Sequence, residues 1–304
     1  MNLLRLINYK YLALLAIAQL VFRYGFLELQ ADLPLALNDW QYALFVLAGV
    51  CIAGGGFLIN NVIAAGRISA ESLQTNYKIS ESKAYNFYAA LNIIGVGIGF
   101  YLANYIGSSG FALLFIAISG TLYLYASSLR QSLLIGNFII AIIAALAIIG
   151  IGIFNLYPVI TATNRPQLSL LFRLFIDYGI FTFFIVLVLT FVRDLIDSDT
   201  DYNSGATSLP IALGRGRTAK VAFAVAIIPV ALLLYYANTY IVTLLWALIY
   251  GLVFILGPLI YFLIKIWSAA TRKEFVQLGK VLDLALFFTA LSIAVITYNI
   301  IYNA

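Results

Sequence analysis

The chain has 304 residues, 64% of them hydrophobic and only 10% charged, with 17 lysines and arginines against 12 acidic residues. A mean hydropathy of +1.03 leaves too little polar surface to cover a soluble domain. The lone cysteine excludes an intrachain disulfide, and with no histidine present a transition-metal or haem site has no ligand set, so any metal here is a hard cation held by oxygen.

The apolar stretches are continuous rather than alternating, which excludes an outer-membrane barrel. The 44 residues between Lys220 and Lys265 carry no charge at all. As helix they reach roughly 66 Å, enough for two crossings of a hydrocarbon layer of about 30 Å. The fold class expected is therefore all-α, a polytopic helical membrane bundle forming one domain over 1–304. Nine spans are predicted, at about 10–30, 40–64, 84–104, 109–128, 133–155, 168–192, 219–236, 240–263 and 281–302.

In chain order, Arg5 and Lys10 precede the first apolar segment. Arg23-Tyr24-Gly25 follows it without a small-residue cleavage pattern, so the segment reads as a span rather than a cleaved leader. Cys51, in the second span, is expected to be a small core residue. Asn92 and Asn137, in the third and fifth, are expected to hydrogen-bond between helices, as polar side chains do in membrane bundles. Arg23 and Asp177 sit at similar depth in spans one and six, and an ion pair between those spans is expected, because ionisable groups in a membrane are costly unless paired. With the N-terminus inside, 14 of the 17 basic residues fall on that side. By the positive-inside rule the chain is an integral protein of the cytoplasmic membrane, with its N-terminus in, its C-terminus out and its long polar loops facing the cytoplasm. That asymmetry accounts for the net charge of +5, and no nucleic-acid partner is inferred.

One of those loops begins with four aspartates in eight residues, in "RDLIDSDTDYNSGATSLPIALG" at 193–214. If the sixth helix continues through them, Asp194, Asp197 and Asp201 fall within a stripe of about 60° and Asp199 points elsewhere. Three like charges on one stripe destabilise a helix unless a cation sits among them. Mg²⁺ takes oxygen ligands, commonly one or two carboxylates, and completes its shell with water and phosphate oxygens. The pattern points to binding of a diphosphate through Mg²⁺, with Arg215, Arg217 and Lys220 available either to phosphate or as flanking charge.

This segment resembles the second aspartate-rich motif of the UbiA superfamily of intramembrane prenyltransferases, approximately K-D-x-x-D-x-x-G-D-x-x-x-G-x-x-T-L-P-x-x-L-G. Arg193, Asp194, Asp197, Asp201, Gly205, Ser208, Leu209, Pro210, Leu213 and Gly214 fall on its marked positions, and Thr200 stands where the family has glycine. A second stretch, "LYASSLRQSLLIGN" at 124–137, is similar to the family's Tyr-Ser-x-x-Leu-Lys region, with Tyr125 and Arg130 in register. The resemblance implies a UbiA-like bundle with Asp194, Asp197 and Asp201 as metal ligands and catalytic residues. It implies that Lys78, Tyr125, Arg130, Arg193, Asn60 and Asn61 bind the substrate diphosphate. The partners implied are Mg²⁺, a polyprenyl diphosphate, a lipid-soluble acceptor and the membrane lipids.

The family's first motif, N-D-x-x-D-x-x-x-D, belongs after span two. Here Asn60 matches its leading asparagine, but Asn61, Ala64 and Ile68 occupy its aspartate positions. Two readings follow. One is a divergent enzyme with a single Mg²⁺ site, in which Arg67 and Lys78 compensate. The other is an inactive relative that binds lipid or scaffolds a membrane-protein partner.

Overall fold

The computed structural model describes residues 2–68, 79–204 and 207–303, and among these it contains helices and turns but no strand. Nine helical segments among the described residues are long and apolar enough to cross a membrane. They are Tyr9–Leu29, Asp39–Gly66, Glu81–Tyr105, Ser109–Ser127, Ile135–Val159, Arg165–Tyr202, Arg215–Ile241, Leu245–Ile266 and Arg272–Tyr302. Each falls on a predicted span; the largest departure is at the sixth, whose helix runs well past residue 192.

A short helix α1 (Asn2–Leu6) turns through Asn8, at φ +53°, into α2 (Tyr9–Tyr24). Asparagine is among the few non-glycine residues that tolerate this left-handed conformation. The chain continues through α3 (Asp39–Ile68), α4 (Glu81–Tyr105), α5 (Ala112–Ser127), α6 (Ile135–Asn155) and α7 (Arg165–Ser204). The last crossings comprise α8 (Leu209–Leu213), α9 (Arg215–Tyr236), α10 (Leu245–Tyr250), α11 (Gly257–Ile266) and α12 (Arg272–Asn303). Between α10 and α11, Gly251–Leu256 widens to a π-helix.

The contacts group the chain into two compact units. The first comprises Met1–Gln19, Pro34–Arg130 and Gly150–Arg173. Its centre is the packing of α3 on α4 and α5, and glycine sets the helix spacing. A Cβ on Gly95 would lie 2.7 Å from Ile52 Cγ1, and one on Gly99 would clash with the Phe115 ring. Gly95 and Gly99 are four apart, on one face of α4, the small-residue spacing that lets membrane helices approach closely. Asn92, one turn earlier, accepts a hydrogen bond from Ser119 Oγ of α5 at 2.6 Å and donates to Tyr88 O. Phe115 meets Phe45 and Phe154 edge to face around the same contact, and Phe45 and Phe154 lie tilted against each other. Cys51 is buried, as expected of a small core side chain.

The second unit comprises Leu20–Leu33, Gln131–Ile149 and Leu174–Ala304. Its core gathers on α7, where Ile185, Val186, Leu187, Val188, Leu189, Phe191 and Val192 are all buried. A helix that is apolar all round belongs inside a bundle. Ala219, Ala222 and Ala226 of α9, Phe262 of α11, and Leu278 and Leu282 of α12 join this core. Gly179 lets α6 lie close on α7, since a Cβ there would meet Ile149 Cγ1 at 2.7 Å. Two devices end the helices. Thr271 and Glu274 form a capping box at the start of α12, each side chain accepting the other's backbone N–H. Gly214, at φ +85° and ψ 152°, joins α8 to α9 in a conformation essentially restricted to glycine.

The ion pair expected between Arg23 and Asp177 does not form. Arg23, only 3% exposed, meets Glu28 at 2.7 Å, and Asp177 accepts a hydrogen bond from Tyr236 Oη at 3.3 Å. The reason is local. The first span breaks after Tyr24 into a 3₁₀ turn at Leu27–Leu29, which carries Glu28 back to the guanidinium with little chain to order.

Three glycine substitutions test this packing. Gly99→Ala overpacks the contact with Phe115 and is expected to destabilise by about 1–3 kcal/mol. Gly97→Ala, with nothing within 4 Å of the added Cβ, leaves the melting temperature unchanged or slightly raised. Gly214→Ala meets no atom but strains the backbone, and is expected to cost about 1–3 kcal/mol. Thermal unfolding of the detergent-purified protein measures all three.

Candidate functional site

The helix that carries the core of the second unit also carries the aspartates. α7 has 40 residues, or about 60 Å of helix, roughly twice the thickness of a hydrocarbon layer. It therefore brings its final turns out of the apolar zone without a break, and the helical frame on which the stripe was predicted extends through Asp201. Asp194, Asp197 and Asp201 are each partly buried, with buried Leu195 and Ser198 between them. Asp199 is 77% exposed and lies off the stripe.

Each edge of this motif is held. Asn137 of α6, itself buried, donates from Nδ2 to Asp194 Oδ2 at 2.8 Å. Arg215 bonds Asp199 Oδ1 at 2.5 Å through Nη2 and Ser198 Oγ at 2.8 Å through Nε. Arg272 of α12 donates from Nε to Ile196 O at 3.1 Å. Arg215, which the sequence left available to phosphate, is thus committed to the outlying aspartate. Leu209 and Pro210 are buried, and Leu209 anchors α8 in the core of the second unit. Ser208 Oγ is buried with no hydrogen-bond partner among the described residues. Arg193, partly buried, precedes Asp194 on the same helix.

In the first unit, Asn60 and Asn61 lie near the end of α3. Asn60 Oδ1 accepts from Arg130 Nη1 at 3.1 Å, which joins two of the predicted diphosphate residues. Arg130 stands in the 3₁₀ turn Leu129–Gln131, just after α5, whose last turns hold the partly buried Tyr125. Asn61 takes a different role: its Nδ2 donates 2.7 Å to Leu6 O, satisfying an end carbonyl of α1. Lys78 and Gly205 lie outside the described residues.

The donor set suits a hard cation, being carboxylate oxygen alone, with spacings of three and four residues that place neighbours on one helix face. Among the described residues no three such groups converge closely enough to hold a metal ion by themselves. A cation here would therefore share one or two of the aspartates with water or phosphate oxygens, the usual habit of Mg²⁺. Asn137 is the residue that sequence reasoning placed only as interhelical glue. Its position opposite Asp194 depends on the α6–α7 contact, which no local pattern announces.

No family model matches the chain. A curated relative, the digeranylgeranylglyceryl phosphate synthase of Sulfolobus acidocaldarius, is 31% identical over 188 residues, which cover 60% of this chain and 62% of that protein. The chain thus matches less than two thirds of that relative's length. A structure concerned with digeranylgeranylglyceryl phosphate synthase in membranes superposes with a TM-score of 0.66 at 19% identity, covering 97% of each chain. A UbiA homologue from Archaeoglobus fulgidus, solved with DMAPP and Mg²⁺, superposes with a TM-score of 0.57 at 14% identity, over 97% of this chain and 100% of that one. These likenesses show the fold: the described residues have the all-helical architecture of the UbiA homologues.

Proposed function

We propose that this protein is a Mg²⁺-dependent membrane prenyltransferase, moving a prenyl group from a polyprenyl diphosphate to a lipid-soluble acceptor at the cytoplasmic face. The observation that carries the reading is the split within one acidic segment. Asp194, Asp197 and Asp201 are partly buried on one stripe, while Asp199 is turned out onto Arg215. A merely solvated acidic loop has no reason to sort its carboxylates this way. The curated relative's name supports a lipid acceptor, and the A. fulgidus homologue bound to GPP and Mg²⁺ supports the donor class.

In this scheme one or two of Asp194, Asp197 and Asp201 would hold Mg²⁺ together with water and diphosphate oxygens, and the ion would supply charge neutralisation as the allylic C–O bond breaks and the electron pair leaves with the diphosphate. Arg193 of the second unit is assigned to diphosphate oxygens, and the resemblance gives the same role to Lys78 and to Arg130, which Asn60 orients within the first unit. Tyr125 lines the diphosphate end. Apolar side chains receive the prenyl tail and keep water from the electron-poor allylic carbon until the acceptor bonds to it and gives up a proton.

A second reading is favoured by one part of the structure. Asn61 is engaged with Leu6 O, and Ala64 and Ile68 offer no metal ligand, so the first motif holds no carboxylate. On that reading the chain is an inactive relative that binds lipid or a membrane-protein partner.

Purified protein incubated with labelled prenyl diphosphates of several chain lengths and Mg²⁺ separates the two. Transfer or ionisation that requires Mg²⁺ supports the enzyme. No turnover with any chain length, and diphosphate binding indifferent to Asp197→Ala, supports the inactive relative. For the enzyme, Asp197→Ala is expected to lower the rate at least ~100-fold, because metal charge stabilisation is worth several kcal/mol. Asp199→Asn is expected to stay within about threefold, since its pairing with Arg215 is a surface one. Arg130→Gln is expected to raise KM for the diphosphate ~10-fold, the worth of one charge-assisted hydrogen bond.

A further inference from the structure

We propose that the exposed face of α11 binds an anionic phospholipid, whose acyl chain lies along the helix and whose phosphate meets lysines from α9, α11 and α12. The inference does not rest on the catalytic reading. Three observations within the second unit carry it.

The first is an uncovered apolar strip. On α11 and its C-cap, Ile260, Tyr261, Ile264 and Trp267 are 40%, 38%, 66% and 59% exposed. At 3.6 residues per turn these four share a face of about 120°. The opposite face, with Leu259, Phe262 and Ile266, is buried in the core.

The second is that cations border this strip at one end, where α11 stops and α12 begins. Lys265 lies one turn beyond Tyr261 on α11. Gln277 Nε2 of α12 donates to Tyr261 Oη at 3.4 Å, and Lys273 and Lys280 share the α12 face of Gln277, one turn to either side. Along the other edge Lys220 of α9 stands over the Trp267 ring, 5.6 Å from its centroid. The apolar strip therefore has a lysine on each side, the pattern of a surface that meets both acyl chain and phosphate.

The third is the lack of counter-charge. Between Asp201 and Asp283 seven basic residues stand against one acid, Glu274. Glu274 is engaged in capping α12, where it accepts the N–H groups of Ala270 and Thr271, and Arg215 is paired with Asp199. Among the described residues Lys220, Lys265, Lys273 and Lys280 form no ion pair. The positive-inside rule puts basic residues on one side of a membrane, but it does not range them about one apolar strip. A soluble polyanion would leave the strip uncovered and a zwitterionic lipid would leave the lysines unbalanced. An anionic phospholipid answers both.

The test uses the full-length protein carrying Trp40→Phe and Trp246→Phe, which keeps Trp267 as its single tryptophan, reconstituted in phosphatidylcholine vesicles. Quenching of Trp267 by phosphatidylglycerol with brominated acyl chains is compared with quenching by brominated phosphatidylcholine. At low ionic strength the anionic lipid is expected to be preferred ~5-fold, the worth of one cation near an anionic headgroup. Lys265→Gln combined with Lys273→Gln should bring the preference within twofold of unity. The melting temperature should not change, since neither side chain makes a hydrogen bond or ion pair among the described residues. Salt at about 1 M should abolish the preference too, because it screens charges beyond a few ångströms, and this arm needs no lysine variant. Equal quenching by both lipids in the parent overturns the proposal, as does a preference that survives the double substitution or high salt. Trp267 emission that responds to polyglutamate but not to phosphatidylglycerol also overturns it, by assigning the face to a soluble acidic partner.

Discussion

In hydrocarbon no water stands by to complete a hydrogen bond, so each polar group inside the membrane must find its partner within the protein or weigh on the fold by kilocalories. That constraint fixes where these helices meet. Ser119 and Asn92 join α5 to α4, Tyr178 and Ser292 join α7 to α12, and Asn299 Oδ1 accepts the backbone N–H of Ala247 where α10 begins. Tyr42 Oη reaches Gln19 O, and Asn61 reaches the end carbonyl of α1. Each is a point contact of defined geometry in surroundings where apolar side chains pack almost equally well on one another and on lipid.

Between those points the spacing of helices is set by what is missing from the side chains. Apolar attraction alone does not tell a helix from a lipid tail, so close approach has to come from small residues. Gly95 and Gly99 admit α3 and α5 to α4, Gly179 admits α6 to α7, and the alanines of α9 join the core that the buried run of α7 forms. The candidate site inherits this geometry: the contact of Asn137 with Asp194 exists because α6 lies close along α7.

Charges are handled more locally than their distribution suggests. Arg23 pairs with Glu28 across a break in its own span, and Arg215 pairs with Asp199 across the short α8 return. In both cases the partner is the charge that a turn brings near, because ordering a short connection costs less than aligning two spans. One consequence is that the acidic motif contains two kinds of aspartate. Asp199 is a structural charge on the outside of the helix, and the other three form a face.

Much of this was legible from residue order. The nine crossings follow from uninterrupted apolar length, and the aspartate stripe follows from helical periodicity carried past the end of the apolar run. Both are properties that a segment has by itself. Gly214 matched a motif position, but the backbone conformation that explains it appeared only where α8 turns into α9. The partner of Arg23 was misjudged because equal depth in two spans is no evidence of adjacency, and the break after Tyr24 supplied a nearer carboxylate. Asn60 with Arg130, seventy residues apart, and Asn137 with Asp194, fifty-seven apart, are likewise pairings between distant segments. Amino-acid order alone determined which segments enter the membrane and which carboxylates share a helical face, because hydropathy and the 3.6-residue period act along the chain. Only the tertiary structure decided which neutral donor holds which charge, because that depends on how closely two helices pack, and packing is set by small side chains that carry no chemical signature of their own.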